Sequence, residues 1–124
     1  MPKRVLLVDD EDDIREVAGM SLETVAGWSI LAARSGREGL KIAAEQQPDA
    51  ILLDVMMPDM DGPSTFKNLQ ENDSTKSIPV IFLTAKAQTR EQRGFRELGA
   101  QGVISKPFDP LTLADQVAEI LGWK

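Results

Sequence analysis

Histidine and cysteine are both missing from the 124 residues of this chain. Without cysteine there can be no disulfide, thiolate metal site or cysteine nucleophile, and the chain suits a reducing compartment. Without histidine there can be no Ser-His-Asp triad, zinc-binding histidine cluster or phosphohistidine carrier. Tyrosine is absent as well. Long apolar runs are also lacking. The run that follows Met1-Pro2-Lys3-Arg4 spans four residues, too short for a signal peptide or a membrane span. Basic charge is in deficit, with 14 Lys and Arg against 20 Asp and Glu and a net charge of −6. Such a chain repels nucleic acid and anionic membrane on average, and attracts cations and basic partner surfaces. Together these absences lead to the expectation of a cytoplasmic protein that binds neither nucleic acid directly nor membrane.

What is present reads as one globular domain over residues 1–124, with 42% hydrophobic and 27% charged residues. Short apolar runs occur at 5–8, 50–53, 78–83 and 102–104, with a further one at 28–33. Continuous runs of this length suit strands buried on both faces. Helical patterns lie between them. Ile14, Val17, Ala18, Leu22 and Val25 recur at helical spacing. Ser35 and Glu38 form a capping-box pattern ahead of Leu40, Ala43 and Ala44. A helix is expected after Gly62, with Pro63 in its first turn, and another from about Gln88 to Leu98, closed by Gly99. A last helix is expected with Asp109 as N-cap and Pro110 in its first turn, running through Leu113 and Val117 to a stop at Gly122. Strand and helix thus alternate five times, which predicts an α/β fold with a parallel sheet covered by helices on both faces.

In an open sheet of this kind, ligands bind beyond the carboxyl ends of the strands. The first run ends in Asp9-Asp10, the third in Asp54 and the fourth in Thr84, and the fifth is followed by Ser105-Lys106-Pro107. Three carboxylates, a hydroxyl and an ammonium are therefore expected at one sheet edge. The acids at 12 and 13 are explained by the attraction of a helix N-terminus for negative charge. Asp9 and Asp10 are not, because they abut a buried strand. Clustered carboxylates repel unless a cation neutralises them, and an oxygen-only ligand set favours a hard cation. The spacing does not match an EF-hand loop, which leaves Mg²⁺ held by one or two carboxylates. Asp59, Asp61 and Gly62 read as turn chemistry. Asp54 has apolar neighbours on both sides, and a strand-end carboxylate beside Mg²⁺ can act as a nucleophile toward phosphorus. Taken alone, Thr84 is an ordinary β-branched strand residue and Lys106 an ordinary surface lysine. In this setting their hydroxyl and ammonium could meet a phosphoryl group.

Asp9-Asp10, the segment Leu53-Asp54-Val55-Met56-Met57-Pro58-Asp59-Met60-Asp61-Gly62, Thr84-Ala85 and Lys106-Pro107-Phe108 resemble, in order and in context, the receiver domain of two-component response regulators. The resemblance covers essentially the whole chain. It implies a flavodoxin-like fold with strand order 2-1-3-4-5, and a phosphoacceptor switch rather than an enzyme, with any catalysis confined to its own phosphotransfer and autodephosphorylation. Asp54 would take phosphate from the phosphohistidine of a histidine kinase or histidine phosphotransfer protein. Asp10, Asp54 and the Met56 backbone carbonyl would bind Mg²⁺, with Asp9 helping through water. Thr84 and Lys106 would contact the phosphoryl oxygens and reshape the face of the fourth helix, fifth strand and fifth helix, where a downstream protein would dock.

The chain departs from the family pattern at Val103, which stands where many members carry a Tyr or Phe rotamer switch. Met56 and Lys86 occupy the two positions that tune acyl-phosphate lifetime. An apolar Met56 cannot hydrogen-bond an attacking water, which sets an expectation of slow self-hydrolysis, readable from the half-life of the phosphorylated protein. Two other functions compete with this reading. A haloacid-dehalogenase-like phosphatase needs a second Asp two residues after the nucleophile, where this chain has Met56. A degenerate receiver would serve only as a docking module, against which the full set of site residues argues. Two residues follow Gly122, so both a stand-alone receiver and a piece of a larger regulator or hybrid kinase remain open.

Overall fold

A computed structural model of the chain describes residues 3–85 and 89–123. Five strands alternate with five helices: β1 (Arg4–Val8), α1 (Asp12–Ala26), β2 (Ser29–Ala33), α2 (Gly36–Gln46), β3 (Ala50–Asp54), α3 (Gly62–Glu71), β4 (Val80–Thr84), α4 (Thr89–Leu98), β5 (Gly102–Ser105) and α5 (Leu113–Leu121). The strands are all parallel, in the order β2-β1-β3-β4-β5. This is the flavodoxin-like arrangement.

The uninterrupted apolar strands follow from burial on both sides. Successive strand side chains point to opposite faces. Leu6, Val8, Ile51, Leu53, Val80 and Phe82 pack on one face with Ala43 of α2, Phe66 and Leu69 of α3, and Phe95 of α4. Val5, Leu7, Leu52, Ile81, Leu83 and Ile104 pack on the other with Ala18 and Leu22 of α1 and with Leu113, Ala114 and Val117 of α5. A central residue such as Leu52, fully buried, contributes roughly 1.5–3 kcal/mol through its removal from water. The two layers leave no polar face on the central strands, so polar residues are confined to strand ends.

Local signals set most of the helix ends. Ser35 Oγ accepts the Glu38 N–H at 3.1 Å, and the Glu38 carboxylate accepts the Arg34 N–H at 3.1 Å. Asp61 caps α3 by accepting the Ser64 N–H at 2.8 Å. Gly27 and Gly122 end α1 and α5 in the left-handed conformation, both at φ 72°.

Two expectations are corrected. The first regular residue of the last helix is Leu113, not one beside Asp109. The Asp109 carboxylate accepts the Leu111 N–H at 2.9 Å and its carbonyl accepts the N–H groups of Thr112 and Leu113, both at 3.0 Å, so Asp109 builds a separate turn. On α1 the expected helix stands, with Ala18 and Leu22 buried and Val17 44% and Val25 50% exposed. β4 starts at Val80, since Pro79 has no N–H for a ladder and Ile78 donates its own to Thr75 at 3.1 Å. Gln88, expected near the start of α4, lies outside the described residues.

Candidate functional site

The strand register brings the polar strand ends to one level. Val8 pairs with Leu53, Leu53 with Phe82, and Thr84 with Ser105. The Asp9 N–H donates to the Ala33 carbonyl at 3.1 Å and extends the β1–β2 ladder by one residue. The Lys106 N–H donates to the Thr84 carbonyl at 2.9 Å and does the same for β4–β5. A cis peptide bond joins Lys106 to Pro107. Asp9, Asp54 and Thr84 are all buried, at 0%, 3% and 3% exposure. Asp10 is exposed at the rim.

One ammonium ties the buried acids together. Lys106 Nζ lies 2.7 Å from Asp9 Oδ2 and 3.0 Å from Asp54 Oδ1. The other Asp9 oxygen accepts the Glu11 N–H at 2.9 Å. Burial pushes the Asp54 carboxyl up to about 6, and the nearby Asp9 and Asp10 add to the rise while Lys106 opposes it. Burial alone would lower the Lys106 ammonium. The hydrogen bonds to Asp9 and Asp54, with their charges, outweigh that and raise it above its ordinary value.

The site has the donor chemistry of a hard-cation centre. Carboxylate oxygens of Asp9, Asp10 and Asp54 lie within 4.8 Å of one another. Among the described residues, three carboxylates face one ammonium, so negative charge is in excess there in a largely buried setting. A divalent cation would relieve that excess, and oxygen ligands suit Mg²⁺.

The remaining residues singled out by sequence are distributed around this centre. Met56, two residues beyond Asp54, is 70% exposed, whereas Met57 turns into the core. Val103 is half-buried on β5, opposite Phe82 in the register, and packs on the α2–α4 side of the sheet. That side carries an aromatic row in which the Phe66 and Phe82 rings are 5.6 Å apart and the Phe82 and Phe95 rings 4.7 Å. Phe108 packs on the opposite side. Lys86 lies outside the described residues.

Two residues at the site have roles that the sequence reading does not assign. Gly62 brings the loop after β3 back against the strand end, and its N–H donates to the Val55 carbonyl at 2.9 Å. A Cβ on Gly62 would stand 2.4 Å from the Asp54 carbonyl oxygen, so only glycine permits this approach. Arg15 reaches back from the first turn of α1, and its Nη1 donates to the Asp9 carbonyl at 2.7 Å.

A family model described as the response regulator receiver domain matches residues 5–118. The chain belongs to the receiver domain family of two-component response regulators. The phosphate regulon transcriptional regulatory protein PhoB of Pseudomonas aeruginosa is 36% identical over 119 residues, covering 96% of this chain and 52% of PhoB. The polar-differentiation response regulator DivK of Brucella anthropi is 32% identical over 122 residues, which is 98% of both chains. The chain thus spans about half the length of relatives such as PhoB and nearly all of DivK. The chemotaxis protein CheY4 of Vibrio cholerae superposes with a TM-score of 0.89 at 32% identity, covering 97% of this chain and 99% of that one. In this receiver domain no helix among the described residues is long and apolar enough to cross a membrane.

Proposed function

We propose that Asp54 is the phosphoacceptor of this receiver domain, and that it is phosphorylated by the phosphohistidine of a histidine kinase or histidine phosphotransfer protein. One observation carries the reading. The Asp54 carboxylate is buried at a strand end, held 3.0 Å from the Lys106 ammonium, and shares a cation-binding arrangement with Asp9 and Asp10. With its pKa raised to about 6, Asp54 is still mostly ionised at neutral pH. A carboxylate oxygen attacks the phosphorus, a P–O bond forms, and the P–N bond to the donor imidazole breaks. Asp10, Asp54 and the Met56 carbonyl, with Asp9 through water, are the groups we assign to Mg²⁺, which when bound would neutralise phosphoryl charge.

Lys106 follows from the same argument. It already pairs with Asp54 and Asp9, and after transfer its ammonium has a phosphoryl oxygen as a stronger partner. The Thr84 hydroxyl, at the adjoining strand end, is assigned to a second phosphoryl oxygen. Rearrangement of these two partners is the local event that would bias the face of α4, β5 and α5 toward binding a downstream protein. With Val103 in place of an aromatic, packing along β5 would have to carry that signal. Met56 offers no hydrogen bond to an attacking water, in keeping with a slowly hydrolysed acyl phosphate.

Incubation with Mg²⁺ and acetyl phosphate, followed by intact-mass measurement, tests the assignment. The wild-type protein should gain one phosphoryl group that hydroxylamine removes, and Asp54→Ala should gain none. Labelling that persists in Asp54→Ala would overturn it.

A further inference from the structure

Arg15 is one of the most enclosed cations among the described residues. Its side chain is 14% exposed, although it sits in the first turns of a helix where Asp12, Asp13 and Glu16 face solvent. Its two terminal nitrogens are spent on different elements. Nη1 donates to the main-chain carbonyl of Asp9 at 2.7 Å, and Nη2 pairs with the carboxylate of Asp12. Its own N–H donates to the Glu11 carbonyl at 3.2 Å. The guanidinium therefore joins the end of β1 to the start of α1 across the loop that holds the acids.

The choice of acceptor matters. The Asp9 carbonyl belongs to the peptide unit that links Asp9 to Asp10, and that unit is planar. Holding its oxygen sets the ψ of Asp9 and the φ of Asp10 together, and so the directions in which both side chains leave the backbone. The Glu11 N–H to Asp9 Oδ1 bond at 2.9 Å fixes the carboxylate from the other side. We propose that Arg15 is a positioning residue for the cation site, locking the Asp9–Asp10 peptide plane so that both carboxylates stay aimed toward Asp54. This inference rests on the reading of the acidic group as a Mg²⁺ site.

Two lesser roles predict different behaviour. An i, i+3 pair with Asp12 alone would steady the helix slightly and leave the acids untouched. Simple charge compensation would make Arg15 an opponent of cation binding, so its removal would tighten Mg²⁺ at low salt, an effect that screening would erase. Positioning predicts the reverse sign and no dependence on salt.

The test is Mg²⁺ titration by calorimetry at low and high salt for wild type, Arg15→Met and Arg15→Lys. Methionine keeps the helix-forming apolar stem but removes the charged fork. Affinity should fall about tenfold in Arg15→Met, the low end of what removal of outer-shell support does to metal sites. The fall should be alike at both salts, and Arg15→Lys, which keeps a donor but not the fork, should lie between. A second readout needs no metal. Amide exchange at Glu11 should quicken in Arg15→Met while that of Leu52 in the sheet stays unchanged, which separates a loosened loop from a loosened fold. Equal or tighter Mg²⁺ binding by Arg15→Met would overturn the proposal. Absence of Mg²⁺ binding by the wild type would overturn the site reading itself, and the role of Arg15 with it.

Discussion

The two ends of the sheet treat charge in opposite ways. At the carboxyl ends of the strands, Asp9 and Asp54 are buried together around Lys106, with Asp10 at the rim. At the other end, the Trp28 and Trp123 rings meet edge to face at 5.2 Å, and Lys3 Nζ stands 4.8 Å from the Trp123 ring centre. There the Arg4 N–H donates to Asp49 Oδ2 at 2.8 Å in an exposed contact. The aromatic end closes α1, β2 and α5 with apolar surface and leaves its charges in water. The acidic end withholds its charges from water and balances them incompletely. The difference separates an end built for cohesion from one kept under electrostatic tension, which a bound cation would relieve.

The largest effect should come from removing the ammonium. Lys106→Met leaves Asp9 and Asp54 buried without a counter-charge, and breaking a buried pair from one side costs about 3–5 kcal/mol. Denaturant unfolding at pH 7 without divalent ions should show a loss of about 3 kcal/mol, partly restored by Mg²⁺. A loss below about 1 kcal/mol, the value of an exposed pair, would mean that water already relieves the acidic end and that the contrast is weaker than drawn.

A smaller effect of opposite sign is expected at Asp54. Its folded pKa of about 6 lies above the ordinary carboxyl value of 3.8, so the folded state binds the proton more tightly than the unfolded chain. Stability from this group is therefore fullest at acid pH and falls as pH rises from about 4 to about 6, with no further change above. Asp54→Asn lacks that titration and leaves Lys106 paired with Asp9. In Mg²⁺-free buffer it should be more stable than wild type by on the order of 2 kcal/mol at pH 7, with the advantage vanishing near pH 4. Parallel stability curves for the two proteins from pH 4 to pH 8 would contradict this.

The same contrast explains what could be read from sequence. β1 and β3 are legible because both their faces are buried, so strand and apolar run nearly coincide, whereas the run at β4 begins two residues ahead of the strand. Asp9, Asp54 and Lys106 are legible because polar residues adjoining such strands have few places to go. One error arises where one residue has competing uses. Asp109 carries the signature of an N-cap but bonds the Leu111 N–H instead, and sequence does not say which N–H a carboxylate will take. The spacing of Val17 and Val25 reports an apolar stripe without reporting how wide its cover is. Gly62 and Arg15 escape for a different reason. Both act on main-chain atoms, the carbonyls of Val55 and Asp9, and every residue has a carbonyl, so no side-chain motif marks the partner.

The aromatic end supplies the smallest effect and the sharpest control. Trp123→Ala removes the edge-to-face ring contact and the cation–π contact with Lys3, which together are worth about 1–2 kcal/mol. Unfolding should shift by that amount at pH 5 and pH 7 alike, because no buried carboxylate is involved. Mg²⁺ affinity measured by calorimetry should not change, since α1 holds the acid loop through Arg15 at its first turns and meets Trp28 only past its last. A shift in Mg²⁺ affinity would show that the two ends communicate through α1. The cohesive end would then belong to the switch rather than only to the scaffold.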